Sequence, residues 1–112
     1  MDVGCAEAKF LDLFANAGCE CFGVEVGEEA AQISSRRYKV YCGNLPDLEF
    51  DETYDLIISR GTLQYFEQVH HYLDKMDKLL NDDGLIFITS LPNTDWGNTM
   101  TLVFRKPRGC LR

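Results

Sequence analysis

The sequence predicts an α/β domain built on an open, doubly wound and mostly parallel sheet of about five strands, with a further antiparallel strand near the carboxyl end. Short apolar runs alternate with segments of helical periodicity, and Gly or Pro separates most of them. Strands that alternate with helices in this way indicate parallel βαβ units. At 112 residues the chain is expected to form a single domain, residues 1–112.

The first half of the chain contains three predicted strands and two predicted helices. Residues 1–3 are the stub of a strand, and a Gly-containing turn leads into a helix that Gly18 ends, because glycine readily adopts the left-handed cap conformation. The second helix opens with two acids, which suit the positive end of a helix dipole. The predicted elements are a helix at 9–15, a strand at 21–26, a helix at 28–35, a strand at 38–41 and a loop at 43–47.

The second half predicts a helix between two buried strands. Residues 55–59 are a compact apolar run, expected to be central and covered on both faces. In residues 65–80 apolar side chains recur at steps of three and four, which indicates an amphipathic helix ended by the polar residues 81–84. Residues 85–89 form the fifth strand. The Gly- and Pro-containing linker after it does not favour the helix of a parallel return, so residues 101–104 are predicted to pair antiparallel with the fifth strand.

Charge and hydropathy exclude several classes of partner. The formal net charge of −7 is spread along the chain and would repel a phosphate backbone, so nucleic-acid binding is not expected, although the short basic end at residues 105–108 could contact an anion. No apolar run approaches the roughly 20 residues that span a bilayer, and no secretory leader is recognisable at the start. We therefore expect no membrane partner and a cytoplasmic location.

The five cysteines do not form the pattern of a secreted disulfide framework, and reduced thiols are expected. Cys19 and Cys21 are separated by a single residue, whereas structural zinc sites prefer two or more between paired cysteines. No metal site is therefore predicted, and these two cysteines are expected on one face of a strand.

Two segments that follow predicted strands carry the chemistry of a nucleoside site. Ligands of an open parallel sheet bind beyond the carboxyl ends of its strands. Residues 2–8, with Asp2 and Gly4, follow the first strand, and Glu25 stands at the end of the second. A Gly turn with helix amides, plus an acid able to accept hydrogen bonds from a ribose diol, is suited to holding a nucleoside.

This arrangement resembles the core of the class I S-adenosylmethionine-dependent methyltransferases, a family with a Rossmann-like sheet. The Asp-x-Gly-x-Gly-x-Gly loop of that family is matched by Asp2 and Gly4, and its acid after the second strand is matched by Glu25. Residues 48–63 resemble its fourth strand with the preceding and following turns, and residues 79–93 resemble its helix-Gly-strand-Pro-Asn ending. The resemblance covers about residues 1–93, with the elements in order.

The resemblance implies S-adenosylmethionine as cofactor and methyl transfer to a small molecule. Alternative interpretations of single residues remain: Asp2 as a cap, Glu25 as a solvated strand end and Asn44 as a turn former. The implied cofactor-binding residues are Asp2 and Gly4 near the methionine part, Glu25 on the ribose hydroxyls, Asn44 and Leu45 beside the adenine, and Ser59 under the methionine end.

No catalytic residue is assigned, because alignment of acceptor, methyl and sulfur can supply most of the catalysis. Tyr65, His70 and His71 are the nearest candidates, and the two histidines are expected to be a solvated pair. An aromatic face such as that of Tyr65 can also attract a sulfonium cation.

Departures from the family pattern keep other functions open. Ala6 and Ala8 stand where the family has its second and third glycines; a left-handed alanine costs roughly 1–2 kcal/mol and adds a methyl group expected to face the pocket. A binding or oligomerisation module without turnover is therefore an alternative, as is a nicotinamide-dinucleotide binder, although the acid before the turn opposes the latter. Relative to the family, the first strand is a stub, the preceding helix is missing and the last strands are reduced. Because this leaves an edge or face uncovered, a homodimer is expected.

Overall fold

The computed structural model describes residues 1–61, 69–90 and 100–108. Packing within the chain separates two compact units, Met1–Leu48 and Glu49–Arg112. Each unit combines strands and helices, and the site residues that follow the first three strands all belong to the first unit.

The first unit is a parallel sheet with helices between its strands. The middle strand, β2, is flanked on one side by β1 and on the other by β3, with Val24 opposite both Val3 and Tyr41. Because all three strands are parallel, their carboxyl ends meet at the same edge. The elements are β1 Asp2–Val3, α1 Lys9–Asn16, β2 Phe22–Glu25, α2 Glu28–Ser34 and β3 Lys39–Cys42.

Helix α1 ends at the predicted glycine through a Schellman motif. The Cys19 N–H donates to the Phe14 carbonyl and the Gly18 N–H to the Ala15 carbonyl, both at 3.0 Å, while Gly18 has a φ of 92°. A Cβ on Gly18 would meet no atom within 4 Å. The glycine is therefore required by backbone conformation and not by lack of space.

The second unit contains β4 Tyr54–Arg60, α3 Val69–Leu79, β5 Leu80–Ser90 and β6 Met100–Arg105. Strand β4 pairs parallel with β5, and β5 pairs antiparallel with β6, with Ile88 opposite Leu102. The predicted antiparallel return is thus confirmed. Ile57 and Ile58 are consecutive and both buried, which agrees with the prediction that both faces of β4 are covered.

Strand β5 begins earlier than the sequence predicts. It starts at Leu80, directly after α3, and not at residue 85. The pairing with β4 shifts between Leu80 and Leu85, and Asp83 adopts a left-handed φ of 63°. The polar residues 81–84, predicted to end the helix before the strand, are instead an irregularity within the strand.

Two local differences concern loops. The predicted loop at 43–47 contains a 3₁₀ turn at Leu45–Asp47, which Pro46 favours through its fixed φ. The start predicted for the third helix, at residue 65, falls in the segment 62–68, outside the described residues.

The described helices are short, with 8, 7 and 11 residues for α1, α2 and α3. Such lengths are usual for the connections of βαβ units. Within the described ranges, no helix combines the length and the apolar character that crossing a bilayer requires.

Lys106, directly after β6, binds the carboxyl end of helix α3 through its side chain. Its side chain is buried, and Nζ donates to the carbonyl oxygens of Leu80 at 2.6 Å and Asp77 at 3.2 Å. An ammonium group at the carboxyl end of a helix satisfies carbonyls that lack intrahelical partners and opposes the negative end of the helix dipole. Arg108 nearby pairs with Asp83 at 2.6 Å. Lys106 is therefore not available to the anion that the basic end at residues 105–108 could contact.

Candidate functional site

The candidate site lies in the first unit, at the edge where its three strands end. Gly4 follows β1, Glu25 closes β2 and Gly43 follows β3. Backbone hydrogen bonds join these strand ends: the Gly4 N–H donates to the Val24 carbonyl at 2.8 Å, and the Gly43 N–H to the Glu25 carbonyl at 3.0 Å. The parallel sheet thus brings together segments that are far apart in the sequence.

The loop after β1 is left-handed at three alternate positions. The φ angles are 82° at Gly4, 49° at Ala6 and 68° at Ala8. These are the three positions at which the loop of the family that the sequence resembles has glycine. A left-handed conformation costs an alanine roughly 1–2 kcal/mol. The chain therefore keeps the backbone path of a glycine loop with two alanines, at an energetic cost that surrounding contacts must offset.

The two alanine side chains have different surroundings. Ala8 is 0% exposed and packs with Cys5 and Leu11 in the core, directly before α1, whereas Ala6 is exposed. The expectation that both methyl groups face the pocket is therefore wrong for Ala8. Its methyl is part of the hydrophobic core, and only that of Ala6 is open to a ligand.

The carboxylate of Glu25 joins this loop to the turn before α2. Oε1 accepts from the Ala6 N–H at 3.0 Å, and Oε2 accepts from the Gly27 N–H at 2.8 Å. A carboxylate has about four lone-pair positions, so two remain for other donors. Glu25 is therefore held in a fixed orientation at the strand end and retains the capacity to accept from two hydroxyl groups.

The other residues proposed for the cofactor differ in accessibility. Asn44 is exposed and stands directly before the 3₁₀ turn, whereas Asp2, Leu45 and Ser59 are 2%, 0% and 0% exposed. Ser59 lies in β4 and belongs to the second unit. The cofactor roles of all four stay predictions, and Asn44 is the one whose side chain the described structure leaves accessible.

A sequence comparison over nearly the whole chain agrees with the geometry of this edge. A family model described as "Methyltransferase domain" matches residues 1–108. The chain belongs to this methyltransferase domain family.

Two curated relatives are each 31% identical to this methyltransferase domain. One is a malonyl-[acyl-carrier protein] O-methyltransferase of Priestia megaterium, matched over 55% of this chain and 23% of that protein. The other is an uncharacterized protein of Methanocaldococcus jannaschii, matched over 80% of this chain and 27% of that protein. The methyltransferase domain thus spans about a quarter of the length of these relatives.

Solved structures share the fold at low sequence identity. The plantazolicin methyltransferase BpumL, in complex with a desmethylPZN analog and SAH, has a TM-score of 0.74 and 20% identity, covering 80% of this chain and 37% of that one. An S-adenosylmethionine-dependent methyltransferase from Clostridium acetobutylicum has a TM-score of 0.72 and 13% identity, covering 80% and 41%. The Rossmann-like fold class of this methyltransferase domain is confirmed.

Val26 is a candidate site residue that the sequence analysis missed. The predicted strand included it, but β2 ends at Glu25, and Val26 is 55% exposed in the turn that follows. An apolar residue between a strand-ending acid and a glycine was the available signal. Val26 therefore gives the methyltransferase domain an exposed apolar side chain in the position that follows Glu25 in the chain.

The described candidates for acid–base chemistry lie on α3, in the second unit. His70 and His71 are both exposed on α3, with ring centroids 4.1 Å apart, which agrees with a solvated pair. Tyr65 lies outside the described residues. No catalytic residue is assigned from the described part of this methyltransferase domain.

The four described cysteines are free thiols, and Cys110 lies outside the described residues. Cys19 and Cys21 fall between α1 and β2, so the expectation that they share a strand face is wrong. The described ranges contain no group of three or more side chains arranged to hold a metal ion.

Cys5 is a packing residue of the loop. It is 5% exposed, and its Sγ lies 4.0 Å from Ser34 Oγ and 3.7 Å from the Ala6 carbonyl oxygen. A Cβ on Gly23 would lie only 2.6 Å from that sulfur. Burial raises the pKa of the Cys5 thiol to about 11. The thiol is therefore neutral at physiological pH and unsuited to act as a nucleophile.

We expect the stability of this methyltransferase domain to fall between about pH 9 and pH 11 through Cys5. Because the pKa of the thiol is raised in the folded state, its contribution is complete below the unfolded value of 9.0 and is lost as pH rises toward about 11. The loss should reach about 2 kcal/mol at about pH 10.5. Urea denaturation at about pH 8 and about pH 10.5 measures it, and Cys5→Ala should lose less stability than the wild type between these pH values. Equal losses in both proteins would contradict the assignment to Cys5.

Proposed function

We propose that this methyltransferase domain binds S-adenosylmethionine at the strand-end edge of its first unit and takes part in methyl transfer to a small molecule. The observation that carries the proposal is the Glu25 carboxylate, oriented by two backbone N–H donors beside a left-handed loop and with acceptor capacity left over. A vicinal ribose diol presents two hydroxyl donors to a group of this kind.

The residues of this edge fit the cofactor. Glu25 accepts from the ribose hydroxyls, Val26 offers an exposed apolar side chain to the adenine, and Asn44 supplies an accessible amide after the third strand. Gly4 has no side chain and a φ of 82°, which allows the backbone to come close to a ligand. When bound, the cofactor supplies a methyl group on a sulfonium centre, and the chain binds and orients it.

A small acceptor is the substrate class that the relatives support. One curated relative is named as an O-methyltransferase of malonyl-[acyl-carrier protein], and several structural relatives are plantazolicin methyltransferases. A net charge of −7 disfavours nucleic acid as the acceptor. We include a cytoplasmic location in the proposal, which the free thiols of the described cysteines support.

The alternative function is a methyltransferase-fold binding module without turnover. The left-handed Ala6 and Ala8 favour it, because they make the loop costlier to hold than a glycine loop. Cofactor binding separates the two functions, since a scaffold that has lost the site would not bind the nucleoside.

Calorimetric titration of the whole chain with S-adenosylmethionine, S-adenosylhomocysteine and NAD⁺ tests the proposal. We expect micromolar binding of the two sulfur-containing nucleosides and none of NAD⁺. Absence of binding of either nucleoside at millimolar concentration would overturn the enzyme function and leave the binding module. Preference for NAD⁺ would show the site to be that of a dinucleotide.

We also propose that two copies of the chain associate through β6. Leu102, Val103 and Phe104 are exposed on this strand, at 42%, 56% and 48%. Antiparallel pairing centred on Val103 would place Leu102 of one copy opposite Phe104 of the other, so apolar side chains face apolar ones across the join.

Val103→Lys is expected to convert a dimer into a monomer, because it places two like charges at the centre of the paired strands. Light scattering after size-exclusion chromatography measures the mass. Leu13→Lys is the matched control, since Leu13 is an exposed apolar residue of α1, at 63%. A monomeric wild type, or a dimer unaffected by Val103→Lys, would exclude this interface.

A further inference from the structure

A second charged side chain, that of Arg37, contacts the loop after β1. Arg37, in the connection between α2 and β3, donates from Nη2 to the Glu7 carbonyl oxygen at 2.9 Å. Glu7 lies between the two left-handed alanines. Arg37 thus binds the backbone of the loop at the point where the chain departs from the family pattern.

Arg37 is itself fixed by a cluster of side chains. The same Nη2 forms an ion pair with Asp12 Oδ2 at 3.2 Å, and the guanidinium lies over the Tyr38 ring, 5.5 Å from its centroid. The Tyr38 hydroxyl donates to the other oxygen of Asp12. The two hydrogens of Nη2 are therefore divided between a carbonyl and a carboxylate that Tyr38 orients.

The ion pair between Arg37 and Asp12 does not by itself explain why these side chains are arranged around one guanidinium group. The side chains of Arg37 and Asp12 are 42% and 41% exposed, and exposed ion pairs contribute little on their own. A planar guanidinium with fixed donors is suited instead to holding an acceptor in a defined direction. The acceptor it holds here is the Glu7 carbonyl.

Each left-handed alanine follows a peptide group that a charged side chain binds. The φ angle of a residue describes rotation relative to the peptide group before it, so fixing that group restrains φ. Glu25 binds the N–H of the peptide group before Ala6. Arg37 binds the carbonyl of the peptide group before Ala8, and the N–H of that group donates to the Cys5 carbonyl at 2.8 Å.

We propose that Arg37 is a positioning residue that holds the loop in the left-handed path which Ala8 resists. A glycine at this position would adopt the path without help. The chain instead has Ala8, whose methyl packs in the core. Arg37 provides the restraint that this alanine needs and a glycine would not. The consequence for cofactor affinity rests on the proposed function, whereas the effect on the loop does not.

A double-mutant cycle between Arg37→Met and Ala8→Gly tests the proposal on the whole chain without ligand. Methionine keeps an unbranched apolar side chain at this position and removes the donors. We expect Arg37→Met to lower the folding equilibrium constant about tenfold with alanine at position 8. In the Ala8→Gly background the same substitution should lower it by about threefold or less. The loss of the buried Ala8 methyl cancels within the cycle. Equal effects of Arg37→Met in both backgrounds would overturn the proposal.

Two further variants separate positioning from a general effect of charge. Arg36→Met removes an exposed positive charge one residue away and should leave the folding constant unchanged. Arg37→Lys keeps the charge without the planar fork and should rescue only part of the loss. Full rescue by lysine would show that charge alone is responsible and would contradict the positioning role.

Titration of the same four proteins of the cycle with S-adenosylhomocysteine distinguishes this inference from the proposed function. Coupling in the folding constants without nucleoside binding would support the role of Arg37 and exclude the cofactor site. Nucleoside binding without coupling would support the cofactor site and exclude the role of Arg37. If both hold, Arg37→Met should weaken the nucleoside more strongly with alanine at position 8 than in the Ala8→Gly background.

Discussion

Glu25→Gln is expected to weaken the binding of S-adenosylhomocysteine about 10- to 100-fold, in proportion to the 1.5–3 kcal/mol contributed by hydrogen bonds to a charged group. The carboxylate accepts from the Ala6 and Gly27 N–H groups and has lone pairs left for a diol. A glutamine side chain presents one oxygen and one NH₂ group. The NH₂ group cannot accept a hydrogen bond, so one of the donors that the carboxylate serves, an N–H group or a ribose hydroxyl, loses its acceptor.

Calorimetry on the wild type, Glu25→Gln and Glu29→Gln measures this effect. Glu29 is an exposed acid in the first turn of α2, so its variant matches the change in charge and leaves the strand end intact. Equal affinity of Glu25→Gln and the wild type for the nucleoside would show that the carboxylate only fastens the loop. A circular dichroism spectrum of each variant confirms that it is folded.

Lys106→Met is expected to lower the free energy of unfolding by about 2–3 kcal/mol. The substitution removes the two hydrogen bonds of a buried lysine, 8% exposed as a residue, and leaves the carbonyls of Leu80 and Asp77 without this donor. Losing a charged hydrogen-bond partner in a buried position costs about 1–3 kcal/mol, and the favourable interaction with the helix end is lost as well. Methionine keeps a similar volume, so packing changes little.

Urea denaturation of Lys106→Met beside Lys78→Met tests this prediction. Lys78 is an exposed lysine in the last turn of the same helix, so its variant removes the same charge near the same helix dipole. We expect Lys78→Met to stay within about 0.5 kcal/mol of the wild type. A similarly small effect of Lys106→Met would mean that its hydrogen bonds are replaced by water at no cost.

Most of the fold follows from local sequence patterns. The continuous apolar run of β4 indicates a strand that is buried on both faces. The periodic spacing of apolar residues in α3 indicates a helix that is buried on one face. The antiparallel β6 follows from the composition of the linker before it. The early start of β5 does not, since residues 81–84 have the composition of a turn. Leu80 and Leu85 on either side of them pair with β4, and the backbone of Lys106 bonds to Asp83 and Gly84.

The site is predictable to the extent that it depends on strand ends. Gly4 follows one predicted strand and Glu25 lies at the end of another, and their neighbourhood depends only on the parallel order. The environment of Ala8 and the contact from Arg37 depend on side-chain packing between residues as much as 30 positions apart. Such contacts leave no periodic pattern in the sequence. The direction of the Ala8 methyl and the role of Arg37 could therefore be recognised only from the structure.

The distance of 2.6 Å between Cys5 Sγ and the Cβ that Gly23 lacks means that positions 5 and 23 share one small volume. Whatever side chain occupies that volume must come from one position or the other, and here the sulfur fills it from the loop. A larger residue at position 23 is therefore compatible with this fold only when position 5 becomes smaller. The two positions should tolerate exchange as a pair and resist it singly, so the size of the Cys5 side chain matters here more than its chemistry.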